Sequence, residues 1–219
     1  MAILAGSLAM LIAGTLGAEL FLSRISMIGV AAGAVVFVGG WRALRALQFP
    51  VAFLLLMIPI PAIIFNQIAF PLQLLASRFG TAVMSLVSVP VLREGNVLVL
   101  SNTTLEVAEA CSGIRSLISL LTLGVLLGYF ADSRAWVRTA TALATVPIAI
   151  FANGLRVAGT GVAAYYYGPG AAEGFLHTFS GWLVFVAALA LLVAVQRTLS
   201  KCFRIKGDAA ESLLPRRAA

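Results

Sequence analysis

Long stretches of apolar residues, interrupted by very few charges, most constrain how this chain can fold. Five or six stretches approach the length of about 20 residues that a helix needs to cross a bilayer. Of all 219 residues, 61% are hydrophobic and only 11% are charged, whereas a soluble domain typically has about 25% charged residues. A soluble fold of this size could not bury so much apolar surface. The sequence therefore predicts an integral membrane protein.

The predicted fold class is all-α, a polytopic transmembrane bundle of about six helices. Pro59 and Pro61 lie in the third stretch, so we expect that helix to be kinked or broken. Residues 71–89 mix leucines with polar side chains, which is typical of an interfacial helix. Residues 91–107 carry β-type residues around a turn signal, so we expect a small extracytoplasmic hairpin before Cys111. The apolar stretches run roughly over residues 2–22, 25–40, 49–70, 113–131, 136–156 and 178–196.

Basic residues predict the orientation of the bundle. The chain has a net charge of +7, and six of its 15 basic residues lie at or after Arg197. The positive-inside rule places this end in the cytoplasm. We expect a transmembrane domain over residues 1–197 and a basic cytoplasmic tail over residues 198–219. The first stretch lacks a basic leader, so we expect a retained helix and not a cleaved signal peptide.

With the tail inside, three residues suited to catalysis fall on the same outer face: Cys111, Arg156 and His177. A thiol at the start of a helix and near cations has a lowered pKa and becomes a nucleophile. His177 is the only histidine, and histidine titrates near neutral pH. An arginine in an apolar run is costly unless it is paired or functional. The alternatives to catalysis are structural: Cys111 would be a small buried side chain, and Arg156 and His177 would lie at the membrane interface.

Four further residues are candidates for binding or supporting the substrate. Backbone N–H groups at Ser112 and Gly113 could face an oxyanion at the start of a helix. Asn153 precedes Arg156 by three residues and shares its helical face, so it could orient the guanidinium or the substrate. Arg115 follows Cys111 by four residues and could tune the thiol or bind an acidic group. A salt bridge from Arg115 to Glu106 or Glu109 is equally compatible with the sequence.

The sequence predicts no metal, cofactor or nucleic-acid partner. The chain has two cysteines, and no His/Cys cluster has the spacing of a metal site. Cys111 and Cys202 lie in very different surroundings, so a structural disulfide is not expected. Cys202 lies among basic residues after the last stretch, which favours an inert thiol or a lipidation site.

Four motifs in order along residues 41–196 resemble the exosortase/archaeosortase family of membrane cysteine transpeptidases. They are Glu-Ala-Cys-Ser-Gly-Ile-Arg-Ser at 109–116, Pro-Ile-Ala-Ile at 147–150, Asn-Gly-Leu-Arg at 153–156, and Gly-Phe-Leu-His at 174–177 followed by Ser-Gly-Trp at 180–182. The resemblance implies that Cys111 is the nucleophile, that Arg156 is the catalytic arginine, and that His177 is the third site residue, as in bacterial members. Many members have about eight helices, so an N-terminal pair is expected to be absent here.

The resemblance also implies a substrate class and a location. The substrates would be secreted proteins with a C-terminal sorting signal, namely a short motif (Pro-Glu-Pro in the common bacterial case), a transmembrane helix and a basic tail. The acceptor of the acyl group would be water or a lipid- or glycan-linked amine. The protein would lie in the bacterial inner membrane with its site on the periplasmic face. The alternatives are a non-catalytic transporter or lipid-handling protein, and a scaffold that only captures sorting helices.

Overall fold

The computed structural model describes residues 2–17, 20–107, 113–172 and 174–212, with side chains described except at 171–178 and 203–212. The described chain is helical apart from one small sheet. It forms two compact units, Met1–Asn66 and Gln67–Ala219. The predicted all-α class is confirmed.

The first unit contains a helical hairpin followed by a broken helix. Helix α1 spans Ala2–Leu16, and helix α2 spans Leu20–Ala46 with a break at Gly40. Glycines bring the two helices close together, since a Cβ atom on Gly14 would lie 2.7 Å from the Ser23 hydroxyl. Helix α3 (Gln48–Phe53) continues into a 3-10 turn at Leu54–Met57, and helix α4 begins at Ala62. The predicted break at the two prolines is confirmed.

The second unit holds most of α4 and three further helices. Helix α4 spans Ala62–Leu86, α5 spans Ile114–Ala131, α6 spans Ala135–Tyr167 and α7 spans Gly174–Ser212. Helices α5, α6 and α7 pack on one another around a core of Leu120, Ile148, Ala188 and Leu192. Residues 198–212 of the predicted tail continue helix α7.

A three-stranded antiparallel sheet lies between α4 and α5 in the sequence. Its strands are β1 (Val91–Glu94), β2 (Val97–Leu100) and β3 (Thr104–Glu106), in that spatial order. Gly95 has a φ of +66° in the first turn, a conformation that glycine adopts without steric cost. The predicted hairpin is confirmed, and the third strand is additional.

Side chains hold both ends of the sheet against the helices. The Ser77 hydroxyl on α4 donates a hydrogen bond to the Gly95 carbonyl, at 2.9 Å. The Asn102 amide donates to the carbonyls of Ala164 and Tyr165 near the end of α6, at 3.0 and 3.1 Å. The sheet is thereby attached to two helices of the same unit.

Two predicted boundaries are wrong. We expected an interfacial helix to begin at residue 71, but Pro71 lies inside the continuous helix α4. Proline removes only one backbone hydrogen bond, and membrane helices tolerate this loss where other groups compensate. The fifth stretch was expected to end at Arg156, but α6 continues to Tyr167. Small residues such as Gly161 and Ala164 allow close packing there, so α6 extends past the most apolar segment.

Four described helices are long and apolar enough to cross a membrane, and a fifth is obtained if the broken pair α3 and α4 counts as one span. Helix α1 is apolar but has only 15 residues. These helices identify a multi-pass membrane protein.

A polar clasp joins the loop between α5 and α6 to helix α7. The Arg134 guanidinium donates to both carboxylate oxygens of Asp132, at 3.0 and 2.8 Å, and the Ser200 hydroxyl donates to the same carboxylate at 2.9 Å. Arg134 also donates to the Ser200 carbonyl at 3.0 Å. Hydrogen bonding from Arg134 holds the pKa of the Asp132 carboxyl well below its usual range. The clasp fixes the end of α5 and the start of α6 relative to the turn of α7 that contains Ser200.

Substituting Asp132→Asn should lower the melting temperature of the detergent-solubilised protein by about 2–6 °C, because it removes the charge that pairs with Arg134. The carboxyl pKa is depressed in the folded protein, so the wild-type advantage is fully present above the unfolded pKa of about 3.9 and is lost as the pH falls through the folded pKa. The difference between wild type and variant should thus be constant from pH 5 to pH 8. Glu94→Gln, at an exposed strand residue, is the matched control and should change little.

Candidate active site

Gly113 caps the first turn of α5 and contacts α6. Its φ of +79° and ψ of −4° place it in the left-handed region. A Cβ atom on Gly113 would lie 2.7 Å from Cγ and 2.8 Å from the amide nitrogen of Asn153. The Asn153 side chain therefore occupies the space that a larger residue at position 113 would need. Both features require glycine at this position.

The hairpin of α5 and α6 explains why these two residues meet. The helices are antiparallel neighbours joined by only three residues, 132–134. Counted from that loop, Gly113 and Asn153 are each about 18 residues along their helices, so they lie at the same height. Gly124 and Gly128 let the helices approach closely, since a Cβ atom on Gly128 would lie 3.2 Å from the Arg138 backbone.

Arg156 lies one turn beyond Asn153 on α6 and contacts helix α7. Its side chain is half-buried. A Cβ atom on Gly181 would lie 3.1 Å from the Arg156 Cζ, so the guanidinium packs directly against the α7 backbone at that glycine. Helix α7 thereby contributes one wall of the space around the arginine.

The height of Arg156 in the helix fits a membrane boundary. It lies 21 residues after Ala135, the first residue of α6, which corresponds to about 31 Å at 1.5 Å per residue. The hydrocarbon core of a bilayer is about 30 Å thick. An α6 that enters the membrane near Ala135 places Arg156 close to the opposite interface, with three further turns projecting beyond it. In that position the Arg156 guanidinium does not place a charge at the bilayer centre.

A narrow cleft lies between α5, α6 and α7 at this level, with a cavity volume of about 10 Å³. Asn153 and Arg156 both line it, as the predicted shared helical face requires. A second narrow cleft, also with a cavity volume of about 10 Å³, includes Gly113. Asn153 is only 5% exposed and lines both clefts. The first cleft is lined by Ser116, Leu120, Ala149, Ala152, Asn153, Arg156, Gly181, Val184, Phe185 and Ala188.

Two of the three predicted catalytic residues lie wholly or partly outside the described residues. Cys111 and Ser112 lie outside the described residues. The backbone of His177 lies in the first turn of α7, but its side chain is outside the description. His177 precedes Gly181 by four residues, so the two positions share a face of α7 one turn apart.

Arg115 does not line either cleft and is exposed. No ion pair joins it to Glu106 within the described part of the chain, where the one ion pair is between Arg134 and Asp132. Its alternative partner, Glu109, lies outside the described residues. Of the predicted supporting residues, Gly113 and Asn153 are brought together, and Arg115 lies apart from them.

Sequence reasoning from the residues missed two contributors to the cleft, Ser116 and Gly181. Ser116 is a half-buried hydroxyl in the first turn of α5, and a polar residue heading an apolar helix is a signal that could have identified it. Gly181 contributes no functional group. A glycine inside an apolar helix gives no sign by itself that an arginine packs against it. Among the side chains that the structure describes, no group of acidic, histidine or cysteine residues could hold a metal ion.

Gly113→Ala should lower the stability of the detergent-solubilised protein by about 1–3 kcal/mol, because alanine is strained at positive φ and its methyl group would collide with Asn153. Gly159→Ala is the matched control. Gly159 lies in the same helix as Asn153, and nothing lies within 4 Å of a Cβ atom there, so alanine should be neutral or stabilising by about 0.5–1 kcal/mol. Unfolding in a denaturant series measures both. Equal effects of the two substitutions would contradict the contact between Gly113 and Asn153.

Comparison with protein families gives one match, to a family described as transmembrane exosortases, over residues 1–194. The match covers every described helix up to the middle of α7. No curated protein and no solved structure matches the chain.

Proposed function

Because the chain belongs to the transmembrane exosortase family, we propose that it is a cysteine peptidase and transpeptidase that acts on secreted proteins through a thioester on Cys111. Its substrates would end in a sorting signal made of a short motif, a transmembrane helix and a basic tail. The observation that carries this proposal is the meeting of three helices at one cleft. Ser116 of α5, Arg156 of α6 and Gly181 of α7 line that cleft, and these positions lie near the predicted catalytic residues along the chain.

Chain connectivity supports Cys111 as the nucleophile. Cys111 precedes Gly113 by two residues, and two residues of chain span at most about 7 Å. Gly113 contacts Asn153, and Asn153 lines the cleft that contains Arg156. A thiolate near a helix N-terminus and a guanidinium is stabilised relative to the thiol. These are the surroundings that a reactive cysteine needs.

The reaction would proceed in two steps. The Cys111 thiolate attacks the scissile carbonyl carbon, the new C–S bond forms, and the C–N bond breaks as His177 gives a proton to the leaving amine. An amine or water then attacks the thioester, gives its proton to His177, and releases the thiolate. The oxyanion formed in each step would be stabilised by Arg156 and by backbone N–H groups near Ser112 and Gly113.

The supporting residues take distinct roles in this proposal. Asn153 would hold the chain around Gly113 and so position the nucleophile. Arg115 is exposed next to that turn, where it could bind an acidic residue of the substrate motif before the motif reaches the cleft. His177 lies one turn before Gly181, which is the glycine against which Arg156 packs, and this spacing supports the assignment of His177 as the base.

The acyl acceptor would be water or an amine on a lipid- or glycan-linked molecule. The membrane would be the bacterial inner membrane, with the cleft at the periplasmic face. The positive-inside rule supports this orientation, because Arg134 in the loop between α5 and α6, Arg138 in the first turn of α6 and the basic end of α7 all lie far from the cleft along their helices.

Cys111→Ala should abolish processing of a co-expressed reporter protein that ends in a Pro-Glu-Pro motif, an apolar helix and a basic tail, since no thioester can form. Cys202→Ser is the matched control and should process normally, because Cys202 is exposed after the last predicted span. Immunoblotting measures the cleaved fraction. Mass spectrometry of the new C-terminus separates a free acid, which indicates hydrolysis, from an adduct, which indicates transfer to an amine. Normal processing by Cys111→Ala would rule out the covalent mechanism.

A membrane-impermeant maleimide should label the two cysteines from opposite sides. In intact spheroplasts Cys111 should react in the Cys202→Ser variant, because the site is proposed to face outward. Cys202 should react in the Cys111→Ala variant only after the membrane is permeabilised. Labelling of Cys202 in intact spheroplasts would reverse the proposed orientation.

A further inference from the structure

Strand β3 forms an open edge of the sheet. The strands lie in the order β1, β2, β3, so β3 pairs with β2 on one side and with no described strand on the other. Thr104 and Glu106 are exposed, and Leu105 between them is half-buried. An open strand edge presents main-chain donors and acceptors to any extended peptide that approaches it.

The pairing register shows which main-chain groups point outward. Val97 pairs with Glu106, Leu98 with Leu105, and Val99 with Thr104. The Val107 N–H donates to the Asn96 carbonyl and the Leu100 N–H donates to the Thr103 carbonyl, so the odd-numbered residues 103, 105 and 107 bond inward to β2. Since directions alternate along an antiparallel strand, the N–H and C=O groups of Thr104 and Glu106 point to the open edge. These four groups have no hydrogen-bond partner among the described residues.

Strand β3 is linked to the candidate site in two ways, by its short distance along the chain and by its packing in the hydrophobic core. Glu106 precedes Cys111 by five residues. Leu105 packs on a core cluster that contains Val107 and Val157, and Val157 is the residue after Arg156. The hydrogen bonds from Ser77 and Asn102 attach both ends of the sheet to helices. The sheet is thus fixed to α4 and α6, with Leu105 of β3 packed on the cluster that contains the residue after Arg156.

We propose that β3 binds the extended polypeptide segment of the substrate next to its scissile bond, which adds to the sheet as a fourth strand. This inference rests on the proposed function, because it takes the substrate to be a protein cut near Cys111. A segment that has just left a membrane helix has unpaired main-chain groups, and pairing with Thr104 and Glu106 satisfies up to four of them independently of side chains. The opposite edge, β1, is not adjacent to the proposed nucleophile in the sequence.

Disulfide trapping tests the docking without any turnover. The chain carries Cys111→Ala and Cys202→Ser together with Glu106→Cys, and single cysteines are placed at consecutive positions of the reporter upstream of its apolar helix. Crosslinking should be strong at every second reporter position, because side chains of a paired strand alternate between faces. Moving the cysteine with Thr104→Cys should shift the strongest position by two residues. Uniform crosslinking, a repeat of three to four positions, or no crosslinking would overturn the docking.

Proline substitutions test the main-chain bonds. Glu106→Pro removes one outward N–H and should slow reporter processing by about 3- to 10-fold, the value of one hydrogen bond. Glu106→Ala removes the side chain but keeps the N–H, so it should process the reporter faster than Glu106→Pro. Val91→Pro removes an outward N–H at the opposite edge and is the structural control. Equal rates for Glu106→Pro and Glu106→Ala would overturn the main-chain role.

The two proposals fail in different ways. If the wild-type chain leaves the reporter uncut while crosslinking still alternates, the peptidase function is wrong and the docking stands. If the wild type cuts the reporter in a Cys111-dependent way while the crosslinking pattern is flat, the function stands and β3 is not the docking strand.

Discussion

The close packing of α5 against α6 is the contact on which the candidate site depends. Gly124 and Gly128 remove the side chains that would hold the helices apart, and Gly113 does the same at the end of the hairpin. Membrane helices gain little from the hydrophobic effect on one another, so tight van der Waals contact at small residues largely determines their register. That register places the start of α5, which follows Cys111 in the sequence, beside Asn153 and one turn from Arg156.

Helix α7 completes the arrangement by contacts at two levels. At one end the clasp of Asp132, Arg134 and Ser200 joins it to the loop between α5 and α6. At the other end Gly181 packs against the Arg156 guanidinium. A helix held at both places has little freedom to slide along its neighbours. The clasp at Ser200 therefore helps to set the position of the His177 backbone, which lies about 20 residues earlier in α7. Substitutions far from the cleft can therefore alter its geometry.

The small sheet is a rigid element held against helices α4 and α6. Hydrogen bonds from Ser77 and Asn102 anchor its turns, and its inner face packs on the same cluster as Val157. The hairpin could be predicted because Glu94-Gly95-Asn96 is a local turn signal between β-type residues. The third strand was missed because its three residues form a strand only by pairing with β2, and such pairing leaves little local pattern.

The sequence by itself determined the membrane class, the helix break at Pro59 and Pro61 and the hairpin turn, and it identified candidates for the catalytic residues. Each follows from hydropathy, backbone chemistry or side-chain type, which are local properties. The tertiary structure decided that α6 continues past Arg156, that Asn153 fills the space beside Gly113, and that Gly181 faces the guanidinium. Those contacts depend on which residues of neighbouring helices lie side by side. Helix packing decides this through the fit of side chains from two or more helices, and no single segment of the sequence contains that information.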